Sequence, residues 1–150
     1  MTTTTIGACC EFDDAVGAGD RSDYETALRL FRRLTQHGHA DAQLNLGTMD
    51  SLRQGVTQDL SEATKWYRLA ADQGDPMAQY NLGLAYATGE GVEQGNVSAH
   101  MWFNLAAARF PASDVRNRNA AVKNRDVVAG KMTPEQIAEA EALAREWRPK

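Results

Sequence analysis

The residues through which this chain could do chemistry are few: His37, His39 and His100, the vicinal pair Cys9-Cys10, five serines and the carboxylate pair Asp13-Asp14. A zinc site on one helix asks for ligands at i and i+4, so that both point from the same face. His37 and His39 stand at i and i+2 around Gly38, and read as solvent-facing turn residues. Cys9 and Cys10 cannot bridge distant elements without a strained ring, and the segment around them offers no further ligand. They read as incidental thiols. No serine sits in Gly-x-Ser-x-Gly or Ser-x-x-Lys, the arrangements that activate its hydroxyl. Asp13-Asp14 reads as charge at the start of a short helix, and Gly89-Glu90-Gly91 is too short to cradle a phosphate. The expectation is no catalytic residue, no metal and no cofactor.

Binding is the remaining class of function. Sixteen Lys and Arg against twenty Asp and Glu give a net charge of −4, which argues against a dedicated nucleic-acid or membrane-surface binder. The segment 109–131 runs the other way, with six basic residues against Asp114 and Asp126. It lacks aromatic interleaving for base stacking beyond Phe110, so it reads first as a solvated helix face and second as a contact for an acidic protein. No apolar run approaches the ~20 residues that span a bilayer. Residues 1–10 carry no basic residue and no signal-like apolar stretch. The expectations are a monomer with no nucleic-acid or membrane partner, cytoplasmic, or periplasmic or secreted if a leader has been removed.

The elements that must position any binding surface are helices. Alanine fills 24 of 150 positions, whereas valine and isoleucine together fill 10, and alanine is the best helix former while strands draw on β-branched residues. Sliding the sequence by 36 residues aligns 23–58 with 59–94 at 12 identities without a gap, where composition alone would give roughly two. Ala27 falls on Ala63, Gly38 on Gly74, Ala42-Gln43 on Ala78-Gln79, Asn45-Leu46-Gly47 on Asn81-Leu82-Gly83, and Gly55-Val56 on Gly91-Val92. Ala63, Trp66, Leu69, Ala70 and Ala71 recur again as Ala99, Trp102, Leu105, Ala106 and Ala107.

Each unit reads as two helices. Helix A starts at Ser22, Asp59 or Asn96 as N-cap and ends at Gly38 or Gly74, where glycine takes the left-handed conformation. Helix B follows, capped in the second unit by Asp75 with Pro76 at its first position. Small residues at Ala42, Gly47, Ala78 and Gly83 let helix A approach and are expected to make room for Trp66 and Trp102. Further on, Thr133, Pro134 and Gln136 form a capping-box start for a last helix whose Ile137, Ala140, Ala144 and Trp147 line one face.

The pattern Ala-x-x-Trp-Tyr-x-x-Ala-Ala-x-x-Gly-x-x-x-Ala-Gln-x-x-Leu-Gly-x-x-Tyr, ending in Gly-x-Gly-Val, resembles the Sel1-like repeat family, a branch of the tetratricopeptide-like α-solenoids. The unit 59–94 matches almost position for position. In 23–58, Asp50 stands where the second unit has Tyr86, and Arg53 replaces the first glycine of the turn. The third unit loses its helix-ending glycine at Phe110, which predicts a divergent, longer second helix. The resemblance implies an all-α fold, a right-handed α-solenoid of antiparallel helix pairs with a C-terminal cap helix. Its expected parts are a disordered lead-in over 1–11 and one domain over 12–150. Within that domain come a short remnant helix at 12–18, units at 23–58, 59–94 and 95–130, and the cap at 133–148.

For function, the resemblance implies a non-catalytic adaptor that holds a protein or peptide partner on its concave face. Residues spaced by 36 stack into columns in a solenoid: Arg29, Lys65 and Met101 form one, Arg32, Arg68 and Asn104 another, and Asn45 with Asn81 a third. On the concave face they would bind an extended peptide, Asn meeting its backbone and Arg or Lys its acidic groups. The plainer alternative is a solvated helix face with Asn fixing inter-helix turns. Two rivals stand beside the adaptor. One is a small hydrolase of cell-wall or β-lactam-like substrates, an activity linked to some relatives, although the serine motif is missing. The other is a secreted bacterial effector that binds host proteins.

Overall fold

The helical periodicity is realised as α1 (Thr2–Asp20), α2 (Tyr24–Thr35), α3 (Ala40–Leu52), α4 (Leu60–Asp72), α5 (Pro76–Thr88), α6 (Asn96–Arg109), α7 (Val115–Ala129) and α8 (Pro134–Glu146). The computed structural model describes residues 2–36, 38–52 and 60–150, with side chains from 11 onward except 50–52. His37, Asp59 and the side chains of Cys9 and Cys10 lie outside what is described. Among the described residues there is no strand, and no helix is long and apolar enough to cross a membrane. Each helix packs on the next from α1 through α7, and α8 then returns to lie on α6. The result is an all-α, solenoid-like stack of helix pairs.

Local chemistry explains most boundaries. Gly38 and Gly74 take φ of 71° and 97° after α2 and α4, the left-handed conformation that glycine reaches without a Cβ penalty. Asp75 caps α5 by accepting from the Ala78 amide at 2.9 Å, with Pro76 behind it. Burial, joined by nearby Asp41, pushes the Asp75 carboxyl above its ordinary value of 3.8, while the Ala78 amide pulls it down. Thr133 and Gln136 close both halves of the capping box on α8.

Two expected caps shift. Asp23, not Ser22, caps α2 by accepting from Thr26, and Ser22 instead takes a left-handed φ of 61°. Gly95, not Asn96, precedes α6, with no side-chain cap. A local motif leaves such one-residue ambiguity when two capping residues are adjacent.

Alanine does the packing the repeat demanded. Ala63, Ala70, Ala71, Ala78 and Leu82 are at most 1% exposed and cluster with Tyr67, Trp102 and Leu105. The glycines of α3 and α5 make room for different aromatics than expected. A Cβ on Gly47 would stand 3.0 Å from the Tyr67 ring, and one on Gly83 would stand 2.8 Å from Phe103. Trp66 packs toward the first core cluster, and Trp102 meets Trp147, the residue just past α8. Adjacent helix positions differ by 100° in direction, so the ring that fits the glycine is the one beside each tryptophan.

The first unit is covered more fully than a remnant helix would manage. Ala15 and Ala18 of α1 are fully buried, Phe12 meets Phe31 edge-on at 6.0 Å, and Glu11 pairs with Arg33 at 3.2 Å. Phe12 also stacks on His39, whose Nδ1 accepts the Ala42 amide and caps α3. His39 is therefore a half-buried structural group and not a solvent-facing one. The helix starts at Thr2, so the segment expected as a disordered lead-in continues α1. Once half of a helix is docked, each further residue adds a hydrogen bond without a new nucleation cost.

Candidate partner-binding surface

The A helices α2, α4 and α6 carry the charged columns, and the structure disposes of their residues in three ways. Arg29 and Arg32 come together. Both are exposed on α2 and line an open cleft of about 630 Å³ with Glu25, Leu28, Arg33 and Gln36. Arg33 leans away to Glu11.

On α4 and α6 the members of the same columns divide: Lys65 stays exposed, while Arg68, Asn104 and Met101 contact other parts of the fold. Lys65 pairs with Glu62 at 3.5 Å within its own helix, on the exposed side. Arg68 donates to the Tyr86 hydroxyl of α5 and sits 5.6 Å from that ring's centre. Asn104 accepts from Arg125 of α7 at 3.1 Å. Met101 is half-buried against the cluster around Trp102.

The two asparagines occupy equivalent clefts between helices. Asn45 shares one of about 160 Å³ with Phe31, Thr48 and Met49. Asn81 shares one of about 180 Å³ with Tyr67, Leu84 and Ala85, each 36 residues further along. Asn45 also donates back to the Asp41 carbonyl at 2.7 Å. The repeat thus builds a repeated cleft. These two clefts and the α2 cleft are lined by different residues, and Arg68 and Asn104 line none of the three.

Other features bear on chemistry. Among the described residues no three His, Cys, Asp or Glu side chains group so as to hold a metal ion. His100 is only 3% exposed, inside α6, and its Nδ1 has no hydrogen-bond partner among the described residues. Burial first, then Arg125, holds its pKa below the ordinary 6.5, with Glu141 and Asp126 opposing. His100 is among the few residues able to do chemistry, but its spacing, with Thr64 at the same register, does not mark it as buried. Equally unforeseen is the path of residues 147–150 beyond α8, which run back to α4. Trp147 was legible as part of an apolar face, but nothing in its spacing named Trp102 as its partner.

Comparison with known proteins agrees with this geometry. The Sel1 repeat family model matches residues 8–39, 40–75 and 76–109. Its units correspond to α1–α2, α3–α4 and α5–α6, half a unit out of phase with the division at 23, 59 and 95, and they make α1 part of a full first repeat. The structure of c5321, a protective antigen present in uropathogenic Escherichia coli strains and displaying an SLR fold, superposes with a TM-score of 0.82 at 30% identity over 93% of this chain. The chain spans 29% of that protein's length. A Sel1 repeat protein from Oxalobacter formigenes superposes with a TM-score of 0.65 at 29% identity, over 75% of this chain and 88% of its own. No curated protein matches the chain by sequence. Repeats of this kind generally mediate protein–protein interaction and are generally non-catalytic. Three consecutive matches across 8–109, on helices that pack in repeat order, place the chain in the Sel1 repeat family.

Proposed function

We propose that the protein is a non-catalytic adaptor whose A-helix face holds an extended segment of a protein partner, acidic where it crosses α2. The observation that carries this reading is the α2 cleft. Arg29 and Arg32 face solvent there beside the apolar edge of Leu28, whereas Arg68 and Asn104 are engaged by α5 and α7. Exposed guanidinium groups bind carboxylates through two parallel N–H donors, which suits a peptide's Asp, Glu or terminal carboxylate. Side chains held out to water and left out of the fold are the ones that remain available to a partner.

The test is a peptide scan against the full chain, beside the double variant Arg29→Glu and Arg32→Glu. Acidic peptides should bind, weaken as salt is raised, and be lost in the double variant while helical content is unchanged. Binding indifferent to both substitutions would remove the α2 cleft from the reading. Purified protein should show no turnover of cell-wall or β-lactam-like substrates.

A further inference from the structure

A second place on the A-helix face is already occupied, by the chain itself. α8 ends at Glu146, and Trp147 turns the backbone extended, at φ −63° and ψ 139°. From there residues 147–150 cross from α6 to α4. The Trp147 ring meets Trp102 of α6 edge-on at 6.3 Å, and the Arg109 guanidinium lies over the Trp147 ring, 5.2 Å from its centre. Arg109 is itself fixed, donating to the Gly74 carbonyl at 2.9 Å. Three residues on, the Lys150 amide donates to the Asp72 carbonyl of α4 at 2.7 Å, and its ammonium stands 3.9 Å from the Asp72 carboxylate. An extended segment with three residues per turn puts positions i and i+3 on one side. Trp147 and Lys150 therefore face the A helices together. Pro149 between them favours that conformation.

The hold is light at the Lys150 end of this segment. The Lys150 side chain is 78% exposed, so its ion pair adds little, and one backbone hydrogen bond and the two contacts of the half-buried Trp147 ring, to Trp102 and to Arg109, do the rest. Two leucines on the elements that carry the seat stay exposed. Leu105 is 8% exposed in the cluster that Ala144 and Trp147 pack against, but its register mate Leu69, one turn before Asp72 on α4, is 47% exposed. Leu143, one turn before Trp147 on α8, is 42% exposed. Exposed leucines thus stand one turn from each end of the contact, on α4 and on α8.

We propose that residues 147–150 are an intramolecular ligand seated on the A-helix face, and that the partner presents the same chemistry. That chemistry is an extended peptide with an aromatic side chain for the Trp102–Arg109 seat and a lysine or arginine three residues on for Asp72. The proposal deepens the adaptor reading, on which it rests, by naming what binds at the α4–α6 end. Together with the α2 cleft it describes a segment basic at one end and acidic at the other. The partner must displace residues 147–150, so that segment sets a threshold for binding.

The test uses a labelled peptide with the sequence of residues 145–150 and the full chain, unaltered and as the double variant Trp147→Ala and Lys150→Ala. A tethered segment competes at high effective concentration. The double variant should therefore bind the peptide at least about tenfold more tightly than the unaltered chain. Adding Trp102→Ala should abolish that binding, as should replacing the peptide's tryptophan with alanine. Equal affinities, or no binding to a double variant that keeps its helical circular dichroism, overturn the proposal. If the double variant loses its helical signal, the unaltered chain carries the test. Excess peptide should then shift the Trp147 indole resonance, and an unmoved resonance overturns the proposal. Self-association that disappears with Trp147→Ala would give the seat to a second copy and also overturn it. Loss of acidic-peptide binding at Arg29 and Arg32 would leave these outcomes unchanged, so the two readings fail separately.

Discussion

Arg68 of α4 donates to the hydroxyl of Tyr86 on α5 while its guanidinium lies over the same ring, 5.6 Å from the centre. One side chain thus joins two consecutive repeats by a hydrogen bond and a cation–π contact. Contacts of this kind at half-exposed sites are worth about 1 kcal/mol. A double-mutant cycle of Arg68→Ala and Tyr86→Phe should return a coupling of about that size in urea denaturation. Arg32, its column mate, stands exposed, and Arg32→Ala should move stability by no more than about 0.5 kcal/mol. A coupling indistinguishable from zero would make the Arg68–Tyr86 contact incidental.

Glycines separate into those the packing requires and those it does not. Gly91 has φ 78°, and a Cβ there would run into the Leu60 carbonyl and Thr64 at the start of α4. Gly91→Ala should therefore cost more than about 2 kcal/mol. Gly19, near the end of α1, has nothing within 4 Å of a built Cβ. Gly19→Ala should stabilise by about 0.5–1 kcal/mol, since alanine in a helix outscores glycine by that much. Thermal melts of the two variants should move in opposite directions. Movement in one direction would show that the helix ends do not sit as described.

The repeat was legible because helices that touch must keep small residues at the touching points. Ala42, Gly47, Ala78 and Gly83 announce that period without any tertiary knowledge. Caps such as Asp75 and Thr133 were legible for a related reason: their chemistry is complete within four residues. The rest depended on side chains meeting across helices. Tyr67 and Phe103 fill the glycine sites in place of Trp66 and Trp102 because two apolar neighbours on one helix look alike in a linear pattern. Arg68 and Asn104 share a register with exposed Arg32, yet α5 and α7 engage them. Column spacing reveals stacking and leaves open whether a column member faces water or the next helix. Residues 147–150 contact α4 across more than seventy positions, beyond any local rule.

The last helix depends on its start. Thr133 and Gln136 exchange hydrogen bonds at 3.2 and 3.0 Å, and Pro134 presets the first turn. Thr133→Ala removes the side-chain acceptor and should destabilise the protein by about 1 kcal/mol. Thr133→Ser keeps the acceptor and should lie close to the unaltered chain. α8 also carries Trp147 into place, so the alanine variant should shift Trp147 fluorescence at denaturant concentrations where the serine variant has not begun to respond. Simultaneous loss of all helices in both variants would instead make α8 inseparable from the stack.

His100 makes stability depend on pH, and the sign follows from its surroundings. It is buried on α6, with Arg125 and Asp126 on α7 and Glu141 on α8 as the charged groups acting on it. Burial and Arg125 disfavour the imidazolium more than the two carboxylates favour it, so the folded pKa lies below 6.5. Between that value and 6.5 the unfolded chain binds more protons than the folded one, and stability therefore rises with pH across this window. The contribution is whole above pH 6.5 and is lost as pH falls through the window. Protonation at Nδ1 would also bury an N–H facing no acceptor among the described residues, since that atom makes no hydrogen bond there. Urea unfolding at about pH 7.5 and about pH 5.5 should show a loss in the unaltered chain that His100→Leu largely removes. Arg125→Leu should soften it, because the second-largest influence on His100 is gone. Equal losses in the unaltered and His100→Leu proteins would assign the pH response to the carboxylates and leave His100 a spectator.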